Sequence, residues 1–122
     1  MSDADPLTKA IIEAIIAVHR TLGPGFLESV YQRTLVIELQ NQGLTVTVEK
    51  EVPIAYQDQI IGRHRLDLIV NDTVIVELKT VDDLSRAHYA QVRSYLKASG
   101  LPVALLVNFS KEKADFRRIE GN

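Results

Sequence analysis

The chain has 122 residues, 46% hydrophobic and 25% charged, a size and balance that fit one globular domain around one core and exclude a disordered or collagen-like chain. With Cys 0, disulfides, thiolate catalysis and cysteine metal sites are excluded together, and a reducing compartment is the natural setting. Fourteen Lys and Arg against sixteen Asp and Glu give a formal charge of −2, which speaks against generic coating of phosphates but leaves room for a local basic strip.

In chain order, Met1 to Pro6 is acidic and lacks the basic start and apolar run of a secretory signal, so the expected location is the cytoplasm. Leu7, Ala10, Ile11, Ala14, Ile15, Val18 and Leu22 recur at helical spacing and predict a helix over 7–22. Its longest apolar stretches, such as Ala14 to Val18, fall far short of the roughly 20 residues that span a bilayer, so no membrane span is expected. Gly23-Pro24-Gly25 breaks the helix. From Phe26, the pattern Leu27, Tyr31, Leu35, Leu39 predicts a second one ending near Gln42-Gly43, where Gly suits a left-handed cap.

From Leu44 the period changes to two, with Thr45, Thr47 and Glu49 alternating with Val46, Val48 and Lys50, and a further extended piece follows at Pro53 to Tyr56. Gln57-Asp58-Gln59 and Gly62 predict turns ahead of a strand at Arg65 to Val70, and Thr73 to Lys79 forms the next. Asp82-Asp83 offers an N-cap for a helix from Leu84 to about Ala98, closed by Gly100. Val103 to Val107 suits a buried strand, and Phe116 to Ile119 an edge strand. The order is helix, helix, three or four strands, helix, strand and a further edge strand. It predicts an α/β (α+β) fold, a central mixed sheet flanked by helices, over a single domain 1–122, with the third helix making a right-handed crossover.

The chemistry concentrates at Asp67 and, ten positions later, Glu77-Leu78-Lys79. Residues two apart on a strand share a face, so Glu77 and Lys79 project together while Leu78 enters the opposite side. A structural ion pair inside an apolar strand would account for those two alone. Register separates the readings. A two-residue loop at Asn71-Asp72 would set Asp67 opposite Val76 and point the carboxylates to opposite faces. A three-residue loop, Asn71-Asp72-Thr73, or a bulge would set Asp67 opposite Glu77, and this is the predicted arrangement. On the third helix Leu84, His88, Gln91 and Tyr95 fall at i, i+4, i+7 and i+11, so polar groups interrupt a packing stripe and predict a polar pocket, with His88 an accessory at most. Arg63, His64, Arg65, Arg86, Arg93 and Lys97 could track phosphates or form a solvated face. Dinucleotide and Walker loops are absent, since Gly23-Pro24-Gly25 leads from helix to helix.

Asp67 with Glu77-Leu78-Lys79 on adjacent strands resembles the signature of the PD-(D/E)xK nuclease superfamily. More narrowly, Gly25-Phe26-Leu27-Glu28-Ser29-Val30-Tyr31, Val74 to Lys79, Gln91 to Leu96 and Leu105 to Phe109 resemble the GxxExxY proteins of that superfamily, over roughly residues 8 to 119. Leu66 stands where the superfamily name has Pro. The resemblance implies a restriction-endonuclease-like core and a metal-dependent nuclease acting on phosphodiester bonds, with DNA favoured over RNA. Carried over residue by residue, the site is Glu28, Asp67, Glu77, Lys79, Gln91 and Tyr95. Asp67 and Glu77 are the implied Mg²⁺ ligands, the Leu78 main-chain carbonyl is a third, and Glu28 completes the shell directly, through water or beside a second ion. Mn²⁺ could substitute. Lys79 would position or deprotonate the attacking water, or neutralise the transition state. Gln91 could hold a phosphate or the water, and Tyr95 could orient Lys79 or a phosphate. Taken alone, Glu28 also suits a helix N-terminus, which favours negative charge. Tyr31 reads as a core aromatic whose hydroxyl could steady a carboxylate, and Gly25 as a turn residue. A nuclease-fold module that binds nucleic acid or a protein partner with little turnover is the alternative. A homodimer would extend the surface offered to nucleic acid.

Overall fold

The computed structural model describes residues 5–121; the acidic start at Met1 to Ala4 lies outside them. Helix α1 (Pro6–Leu22) begins where Asp5 accepts a hydrogen bond from the Leu7 N–H at 3.0 Å and from the Thr8 hydroxyl at 2.8 Å, with Pro6 supplying a preset φ in the first turn. Helix α2 (Glu28–Asn41) follows a short loop and has Leu27 as a cap that makes no side-chain bond. Strands β1 (Val46–Tyr56), β2 (Gln59–Val70) and β3 (Val74–Lys79) come next, then α3 (Arg86–Ser99), β4 (Val103–Asn108) and β5 (Asp115–Glu120).

The strands form a mixed sheet in the order β1-β2-β3-β4-β5, antiparallel except where β4 lies parallel to β3 after the α3 crossover. β3 is therefore central. Its first three residues, Val74, Ile75 and Val76, are each 0% exposed, and both faces of the sheet are covered there. On one face Ile11, Ile15, Tyr31, Leu35 and Leu39 of the first two helices pack on Leu68, Val76, Leu78 and Leu105. On the other, Val92, Tyr95 and Leu96 of α3 pack on Leu66, Ile69, Ile75 and Leu106. Among the described residues no helix is long and apolar enough to cross a membrane.

Two local expectations are corrected. The extended pieces at 44–50 and 53–56 are one strand, and the turn contracts to Gln57 and Asp58, with φ of 49° and 65°. Gln59 and Gly62 lie inside β2, paired with Tyr56 and Ile54. Pro53 does not break β1 because that strand is at the sheet edge, where a missing N–H costs no ladder bond. Helix α3 is capped by Ser85 and not by Asp82-Asp83. The Ser85 hydroxyl accepts from the His88 N–H at 3.4 Å while His88 Nδ1 accepts from the Ser85 N–H at 3.0 Å. This reciprocal pair satisfies two orphan donors at once, which a lone Asp cannot do. The C-terminus behaves as expected, with Gly100 left-handed at φ 73°.

Candidate active site

The site is built on the β2–β3 hairpin. Val70 pairs with Val74 across the three-residue loop Asn71-Asp72-Thr73, in which Asn71 and Asp72 have φ of 50° and 52°. Thr73 N–H donates to Val70 O at 3.0 Å, and the Asn71 side chain accepts from Thr45 N–H at 2.8 Å, fixing the loop against the start of β1. Leu68 faces Val76 in the last ladder pair of the hairpin, and just beyond it the Asp67 and Glu77 side chains come together, the arrangement a shared site requires. Asp67 Oδ2 accepts the Leu78 N–H at 2.9 Å, which locks its carboxylate beside the end of β3. Leu78 itself sends its side chain into the α1–α2 core.

The alternation of β2 changes at Asp67. Leu66 packs on the α3 side and Leu68 on the α1–α2 side. Across from Asp67 stands Glu49, absent from the ladder between the Val48–Leu68 and Lys50–Leu66 pairs and held at φ 54°. A left-handed Glu in mid-strand is a local distortion of the kind that re-aims a neighbouring side chain.

Electrostatics mark this corner as unsatisfied. Glu77 is only 5% exposed, and its Oε1 is buried with no hydrogen-bond partner, the one such side-chain atom among the described residues. Burial, then the negative charge of Asp67, push the Glu77 carboxyl up to about 8, with Lys79 pulling the other way. Asp67 is also raised, by burial first, while the Leu78 N–H and Lys79 oppose the shift. Lys79 Nζ lies 3.6 Å from Glu77 Oε2 and donates to Gln91 Oε1 at 2.8 Å. Gln91 is thus the residue that holds Lys79. Tyr95 is buried below them, and burial together with the Glu77 and Asp67 charges drives its hydroxyl above the usual phenol range. His64 packs edge-on to Tyr95 at 4.7 Å between ring centroids.

Glu28 opens α2 at the rim of the same cluster. Although the residue is exposed, its carboxyl is partly shielded; that desolvation and then the Asp67 charge raise its pKa, and Lys79 lowers it. One turn on, Gln32 Nε2 donates to the Asp67 carbonyl at 3.3 Å and ties α2 to β2. Among the described residues, no group of three or more His, Asp and Glu is gathered closely enough to enclose one ion. Asp67 and Glu77 are the adjacent pair, and Glu28 stands apart from them. The donor set fits a hard divalent cation: two neighbouring carboxylates, one with a buried oxygen lacking any partner, are stabilised by a cation in place of a proton.

Other predicted residues fall elsewhere. His88 is occupied in the α3 cap. Arg65 pairs with Glu49 at 3.6 Å, Arg93 lies over the Tyr89 ring at 6.0 Å, and Arg63, Arg86 and Lys97 are exposed. Among the described residues the Tyr31 hydroxyl bonds backbone groups and no carboxylate: it donates to Gly23 O at 2.5 Å and accepts from Phe26 N–H at 3.2 Å. Sequence reasoning passed over Asn108, which is 0% exposed and opposite Lys79. Its side chain donates to Val81 O at 2.8 Å and accepts Val81 N–H at 3.1 Å, holding the segment that leaves β3 for α3. A polar residue closing the apolar run Val103 to Val107 was the available signal.

An α+β sheet with a parallel β3–α3–β4 unit and an acid–lysine pair at the end of its central strand defines a nuclease-type core. The sequence profile of the PD-(D/E)XK nuclease superfamily matches residues 5–119, and the chain belongs to that superfamily. No curated protein matches it significantly in sequence. Among solved structures it is similar to SSO0001, with a TM-score of 0.61 and 20% identity over 98% of this chain and 58% of the other, so it spans little more than half of that protein. It also resembles LHK-Exo, an alkaline exonuclease from Laribacter hongkongensis, with a TM-score of 0.54 and 18% identity over 100% of this chain and 73% of that one. LHK-Exo in complex with dAMP gives a TM-score of 0.54 and 12% identity over 94% and 83% of the two chains. At these identities the likeness is one of fold.

Proposed function

We infer that the chain is a divalent-metal-dependent nuclease of the GxxExxY group that hydrolyses phosphodiester bonds, with DNA favoured over RNA. The observation that carries this reading is the partnerless, buried Glu77 oxygen beside Asp67 and within reach of Lys79. The structural neighbour solved with dAMP adds support for a deoxynucleotide substrate.

Asp67 and Glu77 would hold the ion, Mg²⁺ or Mn²⁺, with the Leu78 carbonyl as a further ligand and Glu28 reaching it directly or through water. Bound there, the ion would lower the pKa of a water and offset charge on the phosphate. The remaining work falls to the chain. The Leu78 N–H keeps Asp67 facing the site. Gln91 takes one Lys79 N–H, leaving two donors on Nζ for a phosphate oxygen or the attacking water. Tyr95, packed edge-on to His64, lies buried within reach of the Glu77 and Asp67 charges on the α3 side. A second reading, nucleic-acid or partner binding without turnover, draws on Glu28 standing outside the carboxylate pair.

The test is cleavage of single-stranded, duplex and branched DNA and of RNA in Mg²⁺ or Mn²⁺. Wild type is expected to cleave, while Lys79→Ala and Glu77→Ala retain the fold and lose the activity. Cleavage persisting in both variants overturns the assignment, and metal-dependent binding with no cleavage by wild type selects the second reading.

A further inference from the structure

We propose that Tyr31 and Phe109 form a brace that ties the turn bearing Glu28 to the backbone at the end of β3, making Tyr31 a positioning residue of the site. This rests on the nuclease reading above for its functional consequence, and on geometry for the brace itself.

The segment that presents Glu28 has little to hold it. Gly23 and Gly25 have φ of 69° and 111°, Phe26 and Leu27 are 46% and 74% exposed, and Leu27 caps α2 without a side-chain bond. An uncapped helix start with an exposed lead-in would fray. Tyr31 supplies the missing restraint from beneath. It is 0% exposed, and its hydroxyl bonds both sides of the loop, donating to Gly23 O at 2.5 Å and accepting Phe26 N–H at 3.2 Å. The phenol thereby joins the end of α1 to the start of α2.

The ring carries the restraint onward. It stacks on Phe109 at 4.5 Å between centroids and 11° between planes, and Phe109 N–H donates to the Lys79 carbonyl at 3.0 Å. His19 also stacks on Phe109, at 6.1 Å between centroids, with its Nε2 2.7 Å from Lys111 O. A continuous path therefore runs from the Glu28 loop through Tyr31 and Phe109 to the backbone of Lys79. The Gly, Glu and Tyr of Gly25 to Tyr31 act as one unit: Gly25 adopts a φ that side chains rarely take, Glu28 is presented, and Tyr31 anchors the presentation.

The test is a double-mutant cycle on the full chain with Tyr31→Phe and Glu28→Gln. Tyr31→Phe keeps the ring stack and removes only the hydroxyl. It is expected to lower kcat about tenfold with KM unchanged, since small misplacements of reacting groups are costly, yet to have less than about a twofold effect in the Glu28→Gln background. Phe109→Leu, which keeps the hydroxyl bonds and breaks the stack, should couple to Glu28 in the same direction. Equal losses in both backgrounds, or an active enzyme indifferent to Glu28→Gln, overturn the proposal. Amide hydrogen exchange supplies a readout that needs no activity. Faster exchange at Phe26 in Tyr31→Phe, with β3 and β4 unchanged, is expected, and unchanged exchange at Phe26 refutes the brace. A chain that cleaves nothing defeats the nuclease reading, and the exchange result then decides the brace alone.

Discussion

The two halves of β3 obey opposite rules. Val74, Ile75 and Val76 are fully buried, apolar on both faces and paired to β2 and β4, as a central strand should be. From the next residue the same strand ends in Glu77 and Lys79, where a carboxylate is buried with one oxygen partnerless and an ammonium is held by Gln91. The first half gains from burial. The second half is destabilised by it, because desolvation and like charge both oppose ionised Glu77 beside Asp67. The difference teaches how a small fold makes a site: the apolar half fixes the strand's rotation, and that rotation forces charged groups into a place they would otherwise leave.

The largest effect should come from the charged half. Lys79→Ala and Glu77→Ala are each expected to lower metal-dependent cleavage by about 10²–10⁴-fold, the range for removing a positioned acid–base or charge-stabilising group. Above about pH 8, where Glu77 is ionised, the melting temperature in EDTA should hold or rise for Glu77→Ala, which relieves a buried charge; a large fall would erase the contrast between the halves. In the apolar half, Ile75→Ala is expected to cost about 2–5 kcal/mol in urea unfolding while leaving cleavage per folded molecule intact. Leu68→Ala, on the opposite core, should cost a similar amount, about 2–5 kcal/mol.

Acidity sharpens the comparison further. Glu77 titrates near 8 in the folded chain against 4.5 as its ordinary value, so the native state keeps a proton that the unfolded chain releases. Stability of the metal-free protein therefore falls as pH rises from about 4.5 to about 8, then levels off, by an amount on the order of a few kcal/mol. Asp67 and Glu28 are also raised and act in the same direction. Thermal melts in EDTA across this window should show the decline. Glu77→Gln should flatten it, and Mg²⁺ should reduce it in wild type but not in Asp67→Ala. Smallest is the α3 cap: Ser85→Ala should cost about 1 kcal/mol, and His88→Ala should destabilise slightly while leaving cleavage unchanged.

Much of this corner was legible in the sequence because strand periodicity leaves few options. Given that Glu77 and Lys79 share a face, an odd loop or a bulge is needed to bring Asp67 to them; Asn71-Asp72-Thr73 is such a loop, and β2 also breaks its alternation at Asp67. The interrupted stripe on α3 likewise pointed to Gln91 and Tyr95, but it is Gln91, expected on a phosphate or the water, that holds Lys79, a role expected of Tyr95. Where the sequence misled, local signals were degenerate. Asp82, Asp83 and Ser85 are all good caps, and the choice was made by His88 completing a reciprocal pair outside the usual Glu or Gln pattern. Tyr31, Gln32 and Asn108 act on backbone groups, which carry no residue identity to be read in advance. The Glu49 distortion was equally hidden, since Glu gives no sign of a left-handed φ.

The most direct measurement is a crystal of the chain grown with Mn²⁺ and a short oligonucleotide, with anomalous scattering used to locate the metal. The account predicts a peak contacting both Asp67 and Glu77, with the formerly partnerless Glu77 Oε1 as a ligand and a phosphate within reach of Lys79. Mn²⁺ bound elsewhere, with Glu77 still lacking a partner and the oligonucleotide away from Lys79, would contradict it.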